Sequence, residues 1–193
     1  MGNKKSSKSN YIIQGSILAA ASILVRIIGM IYRIPVTNII GDIGNDYYSG
    51  AFEIYNIILL ISSYSLPLAV SKLVAARARL GEYRNIMRLL KGALVFAVIV
   101  GTAGSLFTFF CADFLASRIV HTPQSAPALK VLSVAVFILA IMGVLRGYFQ
   151  GMGTMLPTAI SQIIEQIINA IVSIAAASIL FRYGLKLDEK QVL

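Results

Sequence analysis

Arg26 and Arg33 stand inside an otherwise apolar run, Tyr11 to Ile40, and their type and spacing could do chemistry. With Ser22, Gly29 and Thr37 they follow at intervals of 4, 3, 4 and 4 residues. At about 3.6 residues per turn, all five share one stripe of a helix. The two guanidiniums would stand roughly 10 Å apart along the axis. A guanidinium is planar and can donate two parallel hydrogen bonds, which suits an oxyanion such as phosphate. A charge near a bilayer centre costs at least about 2.5–3.5 kcal/mol on insertion scales, so it persists mainly where it faces a cavity or a partner. The competing reading is that the arginines snorkel to the interface or pair with an acid. Pro35 is placed to kink this helix, because it lacks a backbone donor and crowds the preceding turn.

Carboxylates supply the other half of the chemistry. Asp46 and Glu53 are seven residues apart and share a face. Asp46 is expected at a membrane rim, as part of the site or as a solvated helix-start acid. Glu53 lies about two turns deeper and is the natural partner for Arg33; a structural pair, a gate and a proton site all stay open. Further along, Thr158, Ser161 or Gln162, Glu165, Asn169 and Ser173 form a second polar stripe. Helix-to-helix hydrogen bonding accounts for such a stripe. So does a water-filled cavity in which Glu165 balances an arginine or carries a proton. Pro67, in SLPLAV, is a second expected kink.

Nothing else points to catalysis. His121 is the single histidine and reads as a solvated loop residue, while Cys111 is the single cysteine and excludes an internal disulfide. GDIGND and GMGTM lack the Gly-Lys-Ser/Thr ending of a nucleotide-phosphate loop. No metal-ligand spacing and no nucleophile with a local base occur. The expectation is a protein without cofactor or metal, and not an enzyme.

These residues need elements that hold charge inside an apolar medium, and the composition agrees. Of 193 residues, 58% are hydrophobic and only 13% charged, with mean hydropathy +0.80. That excludes disordered and ordinary water-soluble chains. The formal charge of +9 leaves too little polar surface for a nucleic-acid face. A crossing helix needs about 20 mostly apolar residues, and five segments qualify: about 11–40, 47–74, 87–110, 126–145 and 157–181. Residues 1–10 read as a basic cytoplasmic tail, 11–182 as one helix bundle, and 183–193 as a short polar tail. With five crossings, Lys4, Lys5, Lys8, Lys72, Arg77, Arg79, Arg84, Arg88, Lys91 and Arg146 fall on one side. Arg118, Lys130, Arg182, Lys186 and Lys190 fall on the other. The richer side is expected to be cytoplasmic, and the N-terminus with it. The segment Arg77 to Lys91 reads as an amphipathic connector on that side, a topology signal that could also grip anionic lipid.

The fragments RIIGMIYRIPVTNIIG (26–41), YSLPLAVSKLVA (64–75) and especially RGYFQGMGTMLPTAISQIIEQ (146–166) carry a resemblance. They are similar to the polysaccharide-transport branch of the multidrug/oligosaccharidyl-lipid/polysaccharide exporter superfamily, near stage V sporulation protein B and the MurJ-type lipid II flippases. The resemblance runs from about residue 11 to 181. It implies an all-α membrane protein, part of the N-terminal lobe of a two-lobed exporter. The activity it implies is flipping an undecaprenyl-pyrophosphate-linked saccharide across a bacterial plasma membrane by alternating access. It also implies that first-helix arginines and an aspartate opening the second helix are needed. Arg26 sits at the matching Arg-x-x-Gly, Arg33 matches with a one-residue shift, and Asp46 matches the aspartate. Glu53, Gln162, Glu165 and Asn169 rest on spacing alone, as cavity or coupling candidates. Such exporters have twelve to fourteen helices, so the chain is expected to be a fragment whose partners are the missing C-terminal part, membrane lipids and the lipid-linked saccharide. Two other functions compete: a drug/cation antiporter of the same fold, driven by Glu53 and Glu165, and a non-transporting scaffold in cell-wall or spore-coat assembly.

Overall fold

Where side chains are apolar, a backbone in lipid must satisfy its own hydrogen bonds, and this chain does so with helices. The computed structural model describes the backbone of residues 3–60, 65–119 and 121–191, with side chains between 12 and 175 except 43, 47 and the gaps, and also Ser178. Lys4, Lys5, Lys8, Arg182, Lys186 and Lys190, used above for orientation, lie outside the described side chains, as do residues 61–64 of the second expected span. Six α-helices follow in order: α1 (Asn3–Leu59), α2 (Ser65–Arg79), α3 (Tyr83–Phe110), α4 (Ala112–Arg118), α5 (Ala126–Gly151) and α6 (Leu156–Gln191). No strand occurs among the described residues. The chain is an all-α membrane protein. Among the described residues, four stretches are long and apolar enough to cross a membrane: Ile12–Asp42, Tyr83–Phe110, Pro123–Gly151 and Leu156–Ala175.

These four coincide with four of the five expected spans; the other, 47–74, is helical on either side of residues 61–64. The expected break at Pro35 falls elsewhere. Helical dihedrals persist through Pro35, and the one departure inside α1 is Gly41, at φ 74° and ψ 177°. That conformation is open essentially to glycine alone, so Gly41 and not the proline ends the first straight segment. Pro67 sits in the first turn of α2, where its missing N–H would have had no helical partner.

The chain divides into two compact units, residues 47–155 and residues 1–46 with 156–193. In the first of these, α5 is the central strut. Its buried residues Leu129, Ser133, Val136, Ala140, Val144, Gly147 and Gly151 recur every three or four positions. One apolar cluster joins Val70 and Val74 of α2, Ile86 and Ala97 of α3, and Ala140 and Val144 of α5. Another joins Ala51, Ile54, Tyr55 and Leu59 to Ala112, Leu115, Leu129 and Val136. Close approach depends on glycine: a Cβ on Gly147 would lie 2.6 Å from the Pro67 carbonyl oxygen, and one on Gly151 would lie 2.6 Å from Val74 Cβ. Small residues let apolar helices pack by van der Waals contact where the hydrophobic effect no longer drives them together. At the far end, Lys130 Nζ reaches Asp113 Oδ2 at 2.8 Å and ties α5 to α4.

Candidate functional site

The two polar stripes, read from sequence as separate features, belong to one unit and meet there. Gly29 gives α1 room to approach α6, since a Cβ at that position would come within 3.1 Å of Gln166 Nε2. One turn along, Asn169 Nδ2 donates to the Tyr32 hydroxyl at 3.3 Å. Both contacts join residues 137 apart in sequence. A constant offset is the mark of two helices running in the same direction, so α1 and α6 lie parallel along this seam.

That register fixes the relative heights of the charges. At about 1.5 Å per residue, Glu165 stands roughly 3 Å above the level of Arg26 and 7–8 Å below that of Arg33, between the two. At roughly 100° per residue, Arg26 and Arg33 turn about 70–90° to one side of the seam on α1. Glu165 and Thr158 turn about 50–70° from it on α6. For parallel helices these rotations open toward the same side. Helical periodicity thus puts the arginines and the Thr158–Glu165 face on the same side of the seam.

The rest of each stripe is differently employed. The Ser22 hydroxyl donates to the Leu18 carbonyl at 2.9 Å and the Thr37 hydroxyl to the Arg33 carbonyl at 2.8 Å. Their bonding is met within α1, and the ligand capacity of that face is left to the guanidiniums. Arg26 and Arg33 are exposed, and among the described residues neither forms an ion pair. On α6, Ser161 Oγ donates to the Thr158 carbonyl at 2.8 Å, and Ser173 Oγ donates to Asn169 Oδ1 at 3.2 Å. Asn169 is therefore a bracket between helices. Two oxygens one turn apart, Thr158 Oγ1 and Gln162 Oε1, are buried without a hydrogen-bond partner. Leaving such a group unmet costs about 1–3 kcal/mol, which calls for a water, an ion or a function.

The carboxylates of the second span are divided between the two units. Asp46 is the last residue of the first segment of the α1–α6 unit, beyond the Gly41 break, and is exposed. Glu53 is exposed in the other unit. The structure thus brings Arg26, Arg33, Gln162, Glu165 and Asn169 into one helix pair, while Glu53 belongs to the other unit. Sequence reasoning missed Tyr32 and Gln166, the residues that make the seam. Tyr32 lies three residues after Gly29 and Gln166 adjoins Glu165, which was a readable signal. No group of three His, Cys, Asp or Glu residues able to hold a metal occurs among the described residues.

Comparison with known proteins agrees with a membrane protein of polysaccharide biosynthesis. The family model described as polysaccharide biosynthesis protein matches residues 13–184. The chain is 30% identical to stage V sporulation protein B of Bacillus subtilis (strain 168) over 183 residues, covering 93% of this chain and 35% of that protein. It is 26% identical to the lipid II flippase MurJ of the same organism over 183 residues, covering 90% and 34%. With the uncharacterized membrane protein YabM of that organism it shares 28% over 184 residues, covering 93% and 33%. The chain spans about a third of the length of these curated relatives. No solved structure matches it significantly.

Proposed function

The chain belongs to the polysaccharide biosynthesis protein family, and from that premise we propose that it is the anion-binding portion of a flippase for a lipid-linked saccharide. The observation that carries this reading is the parallel register of α1 and α6, which sets Arg26 and Arg33, neither in an ion pair among the described residues, on the same helix pair as Glu165. A pyrophosphate linked to a polyprenol carries the charge that two guanidiniums on one helix face would bind, while its tail stays in lipid. Asp46 would add to the substrate end, and Glu53 would serve in gating or coupling. Residues 11–182 are then an incomplete N-terminal lobe, working with a second lobe by alternating access in the plasma membrane. The N-terminus is cytoplasmic on this reading, by the charge bias of the loops. Function resides in binding and movement, not in bond chemistry.

Replacing Arg26 with Ala in the transporter that contains this segment should abolish delivery of lipid-linked precursor to the outer leaflet, measured as its accessibility to an external hydrolase. The protein should remain in the membrane. Normal delivery by Arg26→Ala overturns the proposal.

A second reading is supported by the unpartnered Thr158 Oγ1 and Gln162 Oε1 on the same helix as Glu165. It makes this face a coupling site for a proton or cation, as in a drug/cation antiporter. Proton-coupled efflux of a cationic dye that is lost in Glu165→Gln would favour it over the flippase.

A further inference from the structure

The α2–α3 hairpin carries its charge in a form the transport reading does not use. Its turn is closed by Glu82 N–H donating to the Arg77 carbonyl at 3.1 Å. Glu82, the one acid from Lys72 to Lys91, is already engaged: Arg77 Nη1 lies 3.5 Å from Oε2, and Asn85 Nδ2 donates to the same oxygen at 2.8 Å. Lys72, Arg79, Arg84, Arg88 and Lys91 are all exposed, and no acid pairs with them among the described residues. On α3, Arg84, Arg88 and Lys91 follow at intervals of four and three. They lie on the side away from buried Ile86 and Ala97.

The depth of these bases can be worked out. Gly92 to Phe110 contains no charged residue, and at about 1.5 Å per residue it spans roughly 28 Å, close to the ~30 Å hydrocarbon thickness. Lys91 and Arg88 then fall in the headgroup layer, which adds roughly 5–8 Å per side, and Arg84 lies one turn outside it, within reach of a long side chain. Beside them Leu80, Tyr83 and Met87 are 73%, 63% and 50% exposed. Basic residues beside an exposed tyrosine and two apolar side chains match the boundary where headgroups meet acyl chains.

We propose that this hairpin tip is a binding surface for anionic phospholipid headgroups in the leaflet it faces, with Arg84, Arg88 and Lys91 as the phosphate contacts and Tyr83 and Met87 as the apolar anchor. The chain has no tryptophan, so Tyr83→Trp supplies a single fluorescent reporter at the tip. In vesicles of phosphatidylcholine and phosphatidylglycerol, brominated phosphatidylglycerol should quench it with an apparent affinity at least ~5-fold above that of brominated phosphatidylcholine. Each base near an anionic surface is worth roughly fivefold, so the preference should vanish in Arg84→Gln/Arg88→Gln and narrow in Arg79→Gln and in high salt. Helicity and the side on which Cys111 is labelled are measured in parallel. Equal quenching by the two lipids overturns the proposal, as does a preference that survives the double substitution in correctly oriented, folded protein. Inverted insertion of the double variant, with no lipid preference in the parent, also overturns it and leaves the bases as orientation signals alone.

Discussion

Replacing Gly147 with Ala should destabilise the unit built on α5, although alanine is the better helix former. A Cβ there would lie 2.6 Å from the Pro67 carbonyl oxygen, 2.9 Å from Pro67 Cα and 3.0 Å from Val70 Cβ. The approach to the Pro67 α-carbon falls about 0.6 Å inside the ~3.5 Å at which carbon atoms begin to pack well. Two of the three atoms are backbone and cannot rotate aside, so α2 must shift. Overpacking of this kind costs about 1–3 kcal/mol, and the upper part of that range applies here. The gain in helix propensity returns about 1 kcal/mol, leaving a net loss of about 1–2 kcal/mol. For a chain of this size that lowers the unfolding midpoint by roughly 2–8 °C. Gly92→Ala is the internal control, since nothing lies within 4 Å of its would-be Cβ. That variant should melt at the same temperature or a few degrees higher. Cys111, the sole cysteine and half-buried, lies in the same unit, so a thiol-reactive dye reports its unfolding directly. Equal shifts of the same sign in both variants would refute the close-packing argument.

Other expectations concern the α1–α6 unit. In a Cys111→Ser background, Gly29→Cys with Gln166→Cys should cross-link readily, whereas Gly29→Cys with Gln162→Cys, displaced by about 6 Å along α6, should not; comparable yields would remove the parallel register. Gly41→Ala should lose about 1–3 kcal/mol through backbone strain alone, because no atom lies within 4 Å of the added carbon; an unchanged melting curve would show that the break tolerates ordinary residues. Thr158→Val keeps the shape and removes the unpartnered hydroxyl, so it should stabilise the protein by about 1 kcal/mol. A loss of stability instead would mean that the hydroxyl holds a water or ion that matters.

Much of the fold could be read from hydropathy, because in lipid an apolar run of sufficient length has few alternatives to a helix. The spans at 87–110, 126–145 and 157–181 gave clear signals for that reason. The α1 break was misplaced because a proline is a loud local signal, whereas the Gly41 conformation depends on where the chain must turn. The candidate site was legible by halves. Periodicity found the stripe of Arg26 and Arg33 and the stripe of Glu165 and Asn169, but period alone cannot say which helix faces which. That information sits in Gly29 and Tyr32, a missing side chain and an ordinary aromatic, whose meaning appears only against Gln166 and Asn169.

The shared direction of α1 and α6 also has a counting consequence. Two helices that cross a bilayer in the same sense must be separated by an odd number of crossings. Only α3 and α5 lie between them as uninterrupted spans, which is even. The expected span at 47–74, whose described parts are the end of α1 and α2, is the one that would make this number odd.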